Sequence, residues 1–165
     1  MAIPLILLLT FVFSFGLTTL LGYVAHWIMH QPWAGKLYRA HLTHHETLYP
    51  ISDFYSDTYR EAGSDDSGKL FILMFSPVIL LILAAGWFGV IPLWVAALIV
   101  VEMGIVGYAH DYLHEHTHLK KSWWHQFEWF RKLVDVHYIH HIDPAFNLGI
   151  FNFWVDRVMG TFKKE

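Results

Sequence analysis

The sequence predicts a single-domain, all-α integral membrane protein, with three transmembrane helices and a cytoplasmic helical cap that carries a histidine-rich dimetal site. Hydrophobic residues make up 55% of the 165-residue chain and charged residues only 15%, whereas a soluble domain carries about 25% charged residues. Histidine occurs 13 times, more often than the 11 lysines and arginines together, and imidazole is the commonest metal-binding side chain. No convincing alternation of apolar and polar residues indicates a β-sheet.

The first predicted transmembrane helix covers residues 3–29. This stretch holds no Lys, Arg, Asp or Glu, and at 1.5 Å per residue it is long enough to cross about 30 Å of hydrocarbon. It lacks the basic start of a signal peptide, and its apolar run is too long for one. We therefore expect a retained helix that ends at Gln31 and Pro32.

The second and third predicted transmembrane helices form a hairpin. Residues 70–101 carry no charge, but a single helix of that length would measure about 48 Å, which is too long for one bilayer. The segment from Gly86 to Pro92 contains two glycines and a proline, and these residues break the stretch. The two helices are therefore expected over residues 70–86 and 90–110.

Every lysine and arginine lies in one of two segments, 30–69 or 110–165. Because positively charged loops of membrane proteins face the cytoplasm, we expect both segments on the cytoplasmic side and the N-terminus on the opposite side. Helical periodicity predicts amphipathic helices at 35–49 and 120–142 within them.

The absence of cysteine excludes several kinds of site. Disulfides, thiolate zinc sites, iron–sulfur clusters and cysteine nucleophiles all need this residue. The net charge of −3 gives no indication of a nucleic-acid partner. Any metal site must therefore use histidine or carboxylate ligands.

Ten histidines form four clusters with the pattern HxxxH, HxxHH, HxxxH, HxxHH, each close to the point where a predicted span leaves the membrane. Residues three or four apart share one face of a helix, so each cluster presents its imidazoles together. Two halves of five ligands suit two metal ions better than one, and imidazoles without thiolates suit iron, zinc, copper or nickel. The predicted hairpin supplies the even number of crossings that the two halves need in order to meet.

A second motif overlaps the third cluster. His114, Glu115 and His118 match the H-E-x-x-H signature of zinc metalloproteases, so the third pair is either His110 and His114 or His114 and His118. A membrane-embedded zinc metalloprotease is therefore an alternative, but it leaves the other three clusters without a role. A non-enzymatic metal-binding or transport protein is a further alternative, although transporters place their ligands near the bilayer midplane.

The four clusters resemble the histidine boxes of the membrane-bound fatty acid hydroxylase/sterol desaturase superfamily. The tail, Asn147-Leu148-Gly149 with Trp154-Val155-Asp156-Arg157 and Gly160-Thr161, is similar to the C-terminal pattern of that superfamily, and the resemblance covers residues 23–162. Small bacterial carotenoid hydroxylases are nearby relatives, but their first and third boxes usually carry one more residue and their tail differs.

This resemblance implies an O₂-dependent, non-haem diiron centre that hydroxylates or desaturates a fatty acyl, sterol-like or carotenoid lipid. Zinc can replace the iron in a recombinant sample. No dinucleotide-binding fingerprint is found, so the electrons would come from an external donor such as a ferredoxin or a cytochrome b5-like protein. No catalytic residue is expected apart from the metal ligands. The ligands implied are His26, His30, His41, His44, His45, His110, His114, His137, His140 and His141.

Metal-bound imidazoles usually donate their other N–H to a carboxylate or a carbonyl. Side chains close to the clusters in sequence are therefore candidates for this supporting role. Glu102 is an unusual one, because it lies inside the third predicted span, where an acid is costly. The candidates are Glu102, Asp111, Glu115, Asp135, Asp143, Asp156 and His118.

Overall fold

The computed structural model of the protein describes the backbone of residues 3–60 and 65–164, and the side chains of residues 3–60 and 74–164. These residues form helices and no β-strand, apart from one isolated bridge between Ser56 and Leu119. The prediction of an all-α fold is confirmed for this part of the chain. The α-helices are α1 (Ile3–Met29), α2 (Lys36–Thr43), α3 (Asp65–Trp87), α4 (Leu93–Thr117), α5 (Glu128–Ile142) and α6 (Trp154–Met159).

Two of these helices, α1 and α4, are long and apolar enough to cross a membrane. The predicted span 70–86 lies within α3, where the apolar part with described side chains, Met74–Trp87, is shorter. The prediction of three spans therefore stays a prediction. Helix α4 continues to Thr117, seven residues beyond the predicted end at 110, because no helix-breaking residue interrupts it there.

The packing of α1 against α4 includes a polar contact inside the apolar helices. Ser14 Oγ donates to one oxygen of the Glu102 carboxylate at 2.9 Å, and Thr10 Oγ1 donates to the other at 3.1 Å. Glu102 lies eight residues before His110, which is about 12 Å along the helix. Of the roles that the sequence leaves open for Glu102, the structure shows a side chain that joins two helices.

The cap is built from α2, α5 and the segments around them. Helix α2 passes into a turn of π-helix at His44–Leu48, a distortion that is frequent at functional sites. The predicted helix 120–142 begins only at Glu128, after a 3₁₀ turn over Trp123–Gln126. This turn forms first because the Ser122 side chain accepts a hydrogen bond from Trp124 N and caps it.

Two apolar clusters hold the cap together. One joins Phe54 to Phe130, Leu133 and Val134 of α5. The other packs Leu148 and Val155 of the C-terminal segment against Tyr23 of α1. The first cluster holds α5 against the segment around Phe54, and the second holds the C-terminal segment against α1.

Candidate metal centre

The folded chain gathers nine histidines into two groups. In each group the ring nitrogens that could bind an ion all lie within 4.8 Å of one another. Among the described residues these groups contain histidine alone, without a carboxylate. Site A consists of His26, His30, His41, His45 and His140. Site B consists of His44, His114, His118 and His137.

The two sites do not follow the two halves of the sequence. Successive residues of a helix point about 100° apart, so one HxxHH cluster can serve two sites. In the second cluster His41 and His45 belong to site A, whereas His44 belongs to site B. The fourth cluster is divided in the same way between His140 and His137. Each group therefore combines histidines from both halves of the sequence.

In site A the Nε2 atoms converge. His41 Nε2 lies 3.0 Å from the Nε2 of His26, 3.0 Å from that of His30 and 3.1 Å from that of His45. The Nε2 atoms of His30 and His140 are 3.1 Å apart. One N–H on His41 could serve only one of its three neighbours. Hydrogen bonding therefore leaves most of these contacts unexplained.

Main-chain carbonyls settle the tautomer of two of these rings. His26 Nδ1 lies 2.7 Å from Leu148 O, and His140 Nδ1 lies 2.8 Å from Phe146 O. A carbonyl only accepts, so each Nδ1 carries the proton and each Nε2 of the neutral ring keeps its lone pair. Two nitrogens bound at about 2.1 Å to one ion, at right angles, would be about 3.0 Å apart. The spacing of site A thus fits a metal ion.

In site B, as in site A, a main-chain carbonyl binds a ring Nδ1 and the Nε2 atoms converge. His118 Nδ1 lies 3.1 Å from Phe54 O, and its Nε2 lies 3.1 Å from the Nε2 of His137. The Nε2 atoms of His44 and His114 are buried and have no hydrogen-bond partner. A buried imidazole nitrogen without a partner is costly, and a metal ion would satisfy it. The donor set is neutral imidazole, which suits iron, zinc, copper or nickel.

His141 lies between the two sites. Its Nδ1 is 3.0 Å from Tyr49 O, whereas its Nε2 is buried without a hydrogen-bond partner. The ring stacks on His45 of site A at 4.0 Å and lies 4.9 Å from His118 of site B. His141 is in neither group of ring nitrogens within 4.8 Å of one another, but its ring contacts members of both groups.

Besides His141, the one predicted ligand that belongs to neither group is His110. Its ring packs against Phe151 at 5.8 Å and against the backbone at Gly22, where a Cβ would lie 3.3 Å from His110 Nε2. His118, one turn beyond His114, occupies the place in site B. The geometry therefore favours His114 and His118, and not His110 and His114, as the pair in the third cluster.

Of the candidate supporting carboxylates, Asp156 alone is fully buried, at 0% exposure. Asp143 pairs instead with Lys163 at 3.2 Å, and Asp111 and Asp135 are exposed. Glu115 is half-buried beside His116. The groups that hold the rings are the carbonyls of Tyr49, Phe54, Phe146 and Leu148. Sequence reasoning missed them because every residue has a carbonyl and no residue type marks its direction.

The surroundings keep the rings of the cap neutral. Burial, reinforced by neighbouring histidines, lowers the pKa of His41, His44 and His137 well below the ordinary value. Burial also lowers the pKa of His141 to about 3, against the opposing effect of its bond to Tyr49 O. The neutral imidazole is the form that binds a metal.

Site B also bears on the zinc-protease alternative. His114 and His118 do share a site, but His44 and His137 complete it as a set of four histidines. Catalytic zinc sites typically have three protein ligands and one open position. Nine histidines in two adjacent groups exceed what the H-E-x-x-H motif accounts for.

Fold and site together define a helical protein with two helices long and apolar enough to cross a membrane and two groups of histidines that could each hold a metal ion. The sequence profile described as fatty acid hydroxylase matches residues 11–161, which is most of the chain. The protein therefore belongs to the fatty acid hydroxylase family, and the predicted resemblance is confirmed. Comparisons with curated proteins and with solved structures gave no match.

Proposed function

We propose that this protein uses O₂ to oxidise a C–H bond of a membrane lipid at two iron ions held by sites A and B. The observation that carries the proposal is the pair of adjacent histidine groups, in which the rings of His44 and His45 lie 5.5 Å apart across the two sites. Membership of the fatty acid hydroxylase family supports lipid as the substrate class.

The reaction balances with two electrons and two protons. Hydroxylation turns RH, O₂, two electrons and two protons into ROH and water. Desaturation removes two hydrogen atoms from neighbouring carbons and reduces the same O₂ to two waters. Bound iron would supply the activation of O₂.

The chain contributes position and shielding. The carbonyls of Leu148, Phe146 and Phe54 orient one ring each, so that Nε2 points into its site. His140 and His118 are fully buried, at 0% exposure. Rings held in this way are pre-organised and shielded from solvent, which suits a reaction in which water must be kept from the reacting atoms.

A cavity of about 530 Å³ offers the substrate an approach to site A. It lies where α1 ends, and His30 of site A forms part of its wall together with Trp27, Tyr38, Leu42 and Leu148. The described residues that line it include no Asp, Glu, Lys or Arg. An uncharged wall of this kind suits the apolar part of a lipid.

The electrons need an external donor, for which a ferredoxin or a cytochrome b5-like protein is proposed. Four exposed basic residues of the cap could attract an acidic donor, although Lys132 already pairs with Glu128 at 2.6 Å. If the docking is electrostatic, the rate of reduction should fall as salt is raised. The basic residues are Lys120, Lys121, Arg131 and Lys132.

The first experiment combines metal analysis with a lipid product screen. The protein is expressed with added iron, purified in detergent and analysed for metal, and lipids of the expressing cells are compared by mass spectrometry. We expect two metal ions per chain and a lipid that has gained one oxygen atom or lost two hydrogen atoms. His30→Ala should remove the product, whereas His116→Ala, outside both sites, should keep it.

Other outcomes would refute the proposal. One zinc per chain that depends on His114 and His118 but not on His30, with activity lost in Glu115→Gln, would favour the protease. Two metal ions without any changed lipid, in the presence of a working donor, would favour a non-enzymatic metal protein.

The role of the cavity has its own test. Leu42→Trp places a large ring into the cavity and should abolish the lipid product while both metal ions stay bound. Ile142→Trp adds the same ring at a site that is 53% exposed and should leave the product unchanged. Normal product from Leu42→Trp would show that the substrate approaches elsewhere.

A further inference from the structure

The carbonyls that orient the rings come from two different parts of the chain. Those that bind the rings of site A, Phe146 O and Leu148 O, lie two residues apart in the C-terminal segment. The other two carbonyls lie in the segment after α2: Phe54 O binds His118 of site B, and Tyr49 O binds His141, which lies between the two sites. Each site therefore has its own support.

Asp156 holds the Leu148 end of the C-terminal segment. One carboxylate oxygen accepts from Leu148 N at 2.8 Å and the other from Gly149 N at 2.9 Å. Thr161 Oγ1 donates to the same carboxylate at 2.9 Å. The Leu148–Gly149 peptide is thus held on one side by Asp156, while the Leu148 carbonyl accepts a hydrogen bond from His26 Nδ1 on the other.

The carboxylate of Asp156 lies so close to Gly149 that a side chain at position 149 would not fit. A Cβ at this position would lie 2.3 Å from Asn152 O and 2.7 Å from Asp156 Oδ2. Both distances are far below van der Waals contact, and one of the atoms is main chain. The close approach between Gly149 and Asp156 requires a residue without a side chain.

Asn147 holds the Phe146 end. It is fully buried, and its backbone has φ 55°, a conformation that asparagine tolerates better than most residues. Its Nδ2 donates to Val136 O of α5 at 3.2 Å and to Lys163 O at 2.9 Å, and its Oδ1 accepts from Lys163 N at 2.8 Å. The segment is therefore tied to the helix that carries His140.

The support of site B does not involve these residues. Arg60 donates to Leu48 O at 2.9 Å and to Asp53 at 3.0 Å, and so fixes both ends of the stretch that includes Tyr49 O. Ser56 exchanges main-chain hydrogen bonds with His118 O and Lys120 N, at 2.8 and 2.9 Å, and anchors the chain next to Phe54.

We propose that Asp156 and Asn147 are positioning residues for site A alone, acting on His26 and His140 through the carbonyls of Leu148 and Phe146. Docking of the C-terminal segment would then determine whether site A binds its ion tightly, while site B binds its ion without it. This inference rests on the proposed two-metal centre. It assigns to the tail of the chain a role in loading one of the two metal positions.

The test is a titration of metal-free protein with Zn²⁺, followed by calorimetry, which needs no turnover. The wild-type protein should bind two ions. In Asp156→Asn one ion should bind as before and the other should bind 10- to 100-fold more weakly, the range for loss of a group that supports a ligand. Thr161→Val, which removes one donor to Asp156, should show the same selectivity to a smaller extent and keeps the test open if Asp156→Asn does not fold.

Two further variants assign the weakened site. His30→Ala should weaken the same binding event, so Asp156→Asn combined with His30→Ala should still bind one ion with the affinity of wild type. Arg60→Ala is the matched change on the other support and should weaken the other ion. A merely structural effect of Asp156 would not separate the two binding events.

The results that overturn the inference differ from those that overturn the proposed function. Equal weakening of both ions, or no weakening of either, in well-folded Asp156→Asn and Thr161→Val would refute selective positioning while the two-metal centre stands. A wild-type protein that binds no zinc at pH 7.5 would refute the centre itself and the inference with it.

Discussion

The position of the third histidine pair yields the sharpest test of the structure, through the variants His118→Ala and His110→Ala. The sequence allows either His110 or His118 as the partner of His114. In the structure His118 Nε2 lies 3.1 Å from the Nε2 of His137 in site B, whereas His110 packs against Phe151 and Gly22. The two variants should therefore fail in different ways.

His118→Ala reduces site B from four histidines to three and also removes the bond to Phe54 O. Loss of a group that merely supports a ligand weakens metal binding 10- to 100-fold. Loss of the ligand itself should weaken one of the two ions by at least about 100-fold, which corresponds to about 2.8 kcal/mol. The other ion, in site A, should bind as in wild type.

His110→Ala removes a ring that packs between α4 and α1, and it removes no member of either site. A change from a large to a small buried side chain costs about 2–4 kcal/mol, so the variant should unfold more easily but still bind two ions. The assay is zinc titration together with thermal unfolding in detergent. His116→Ala serves as the control on the same helix, since His116 bonds to Ser122 outside both sites. Loss of an ion in His110→Ala, with two ions retained in His118→Ala, would refute the site B described here.

Three further predictions follow from the packing and the buried rings. Ser14→Ala removes a hydrogen bond to Glu102 within the apolar helices and should lower the unfolding free energy by about 0.6 kcal/mol, measured against Ser52→Ala in the cap. Metal-free protein should lose stability as the pH falls below about 6.5. The histidines of the unfolded chain take up protons in this range, whereas burial lowers the pKa of a folded histidine such as His141 to about 3. Protonation therefore stabilises the unfolded state relative to the folded state by up to about 1.4 kcal/mol per pH unit for each such histidine. A melting temperature that stays constant between pH 7.5 and 5 would contradict this. Removal of metal by a chelator at pH 7.5 should also lower the melting temperature, and added zinc should restore it, because a ligand that binds only the folded state stabilises it.

The sequence predicted correctly the helices whose bounds are marked by a long apolar stretch and by glycine or proline residues. Helix α1 covers Ile3–Met29, the residues for which the first span is predicted, and α3 and α4 meet at the expected turn before Pro92. The boundaries failed where a local cap competes with periodicity. At residues 120–127 the Ser122 cap and the 3₁₀ turn delay the start of α5 until Glu128.

The residues of the candidate site were predictable as types but not as an arrangement. Spacing showed that the histidines of each cluster lie close together on a helix, but not that His44 and His45 would belong to different groups. The choice between His110 and His118 depends on how α4 lies against α1, and the two residues are about two turns of helix apart. The supporting carbonyls lie beyond sequence reasoning, because their direction follows from the path of the segment and not from its side chains.

The interleaving of the clusters determines how the two sites depend on the rest of the fold. The first cluster, at the end of α1, serves only site A, and the third, at the end of α4, serves only site B. The second and fourth clusters, on α2 and α5, serve both. A shift of α2 or α5 therefore moves both sites together, whereas a shift of α1 relative to α4 moves one site against the other. Within their apolar length, α1 and α4 are joined by the hydrogen bonds of Ser14 and Thr10 to Glu102, among other contacts. This partly buried acid, about 18 Å along α4 from His114, thus has a physical role, since it helps to hold together the two helices whose relative position affects the distance between the sites.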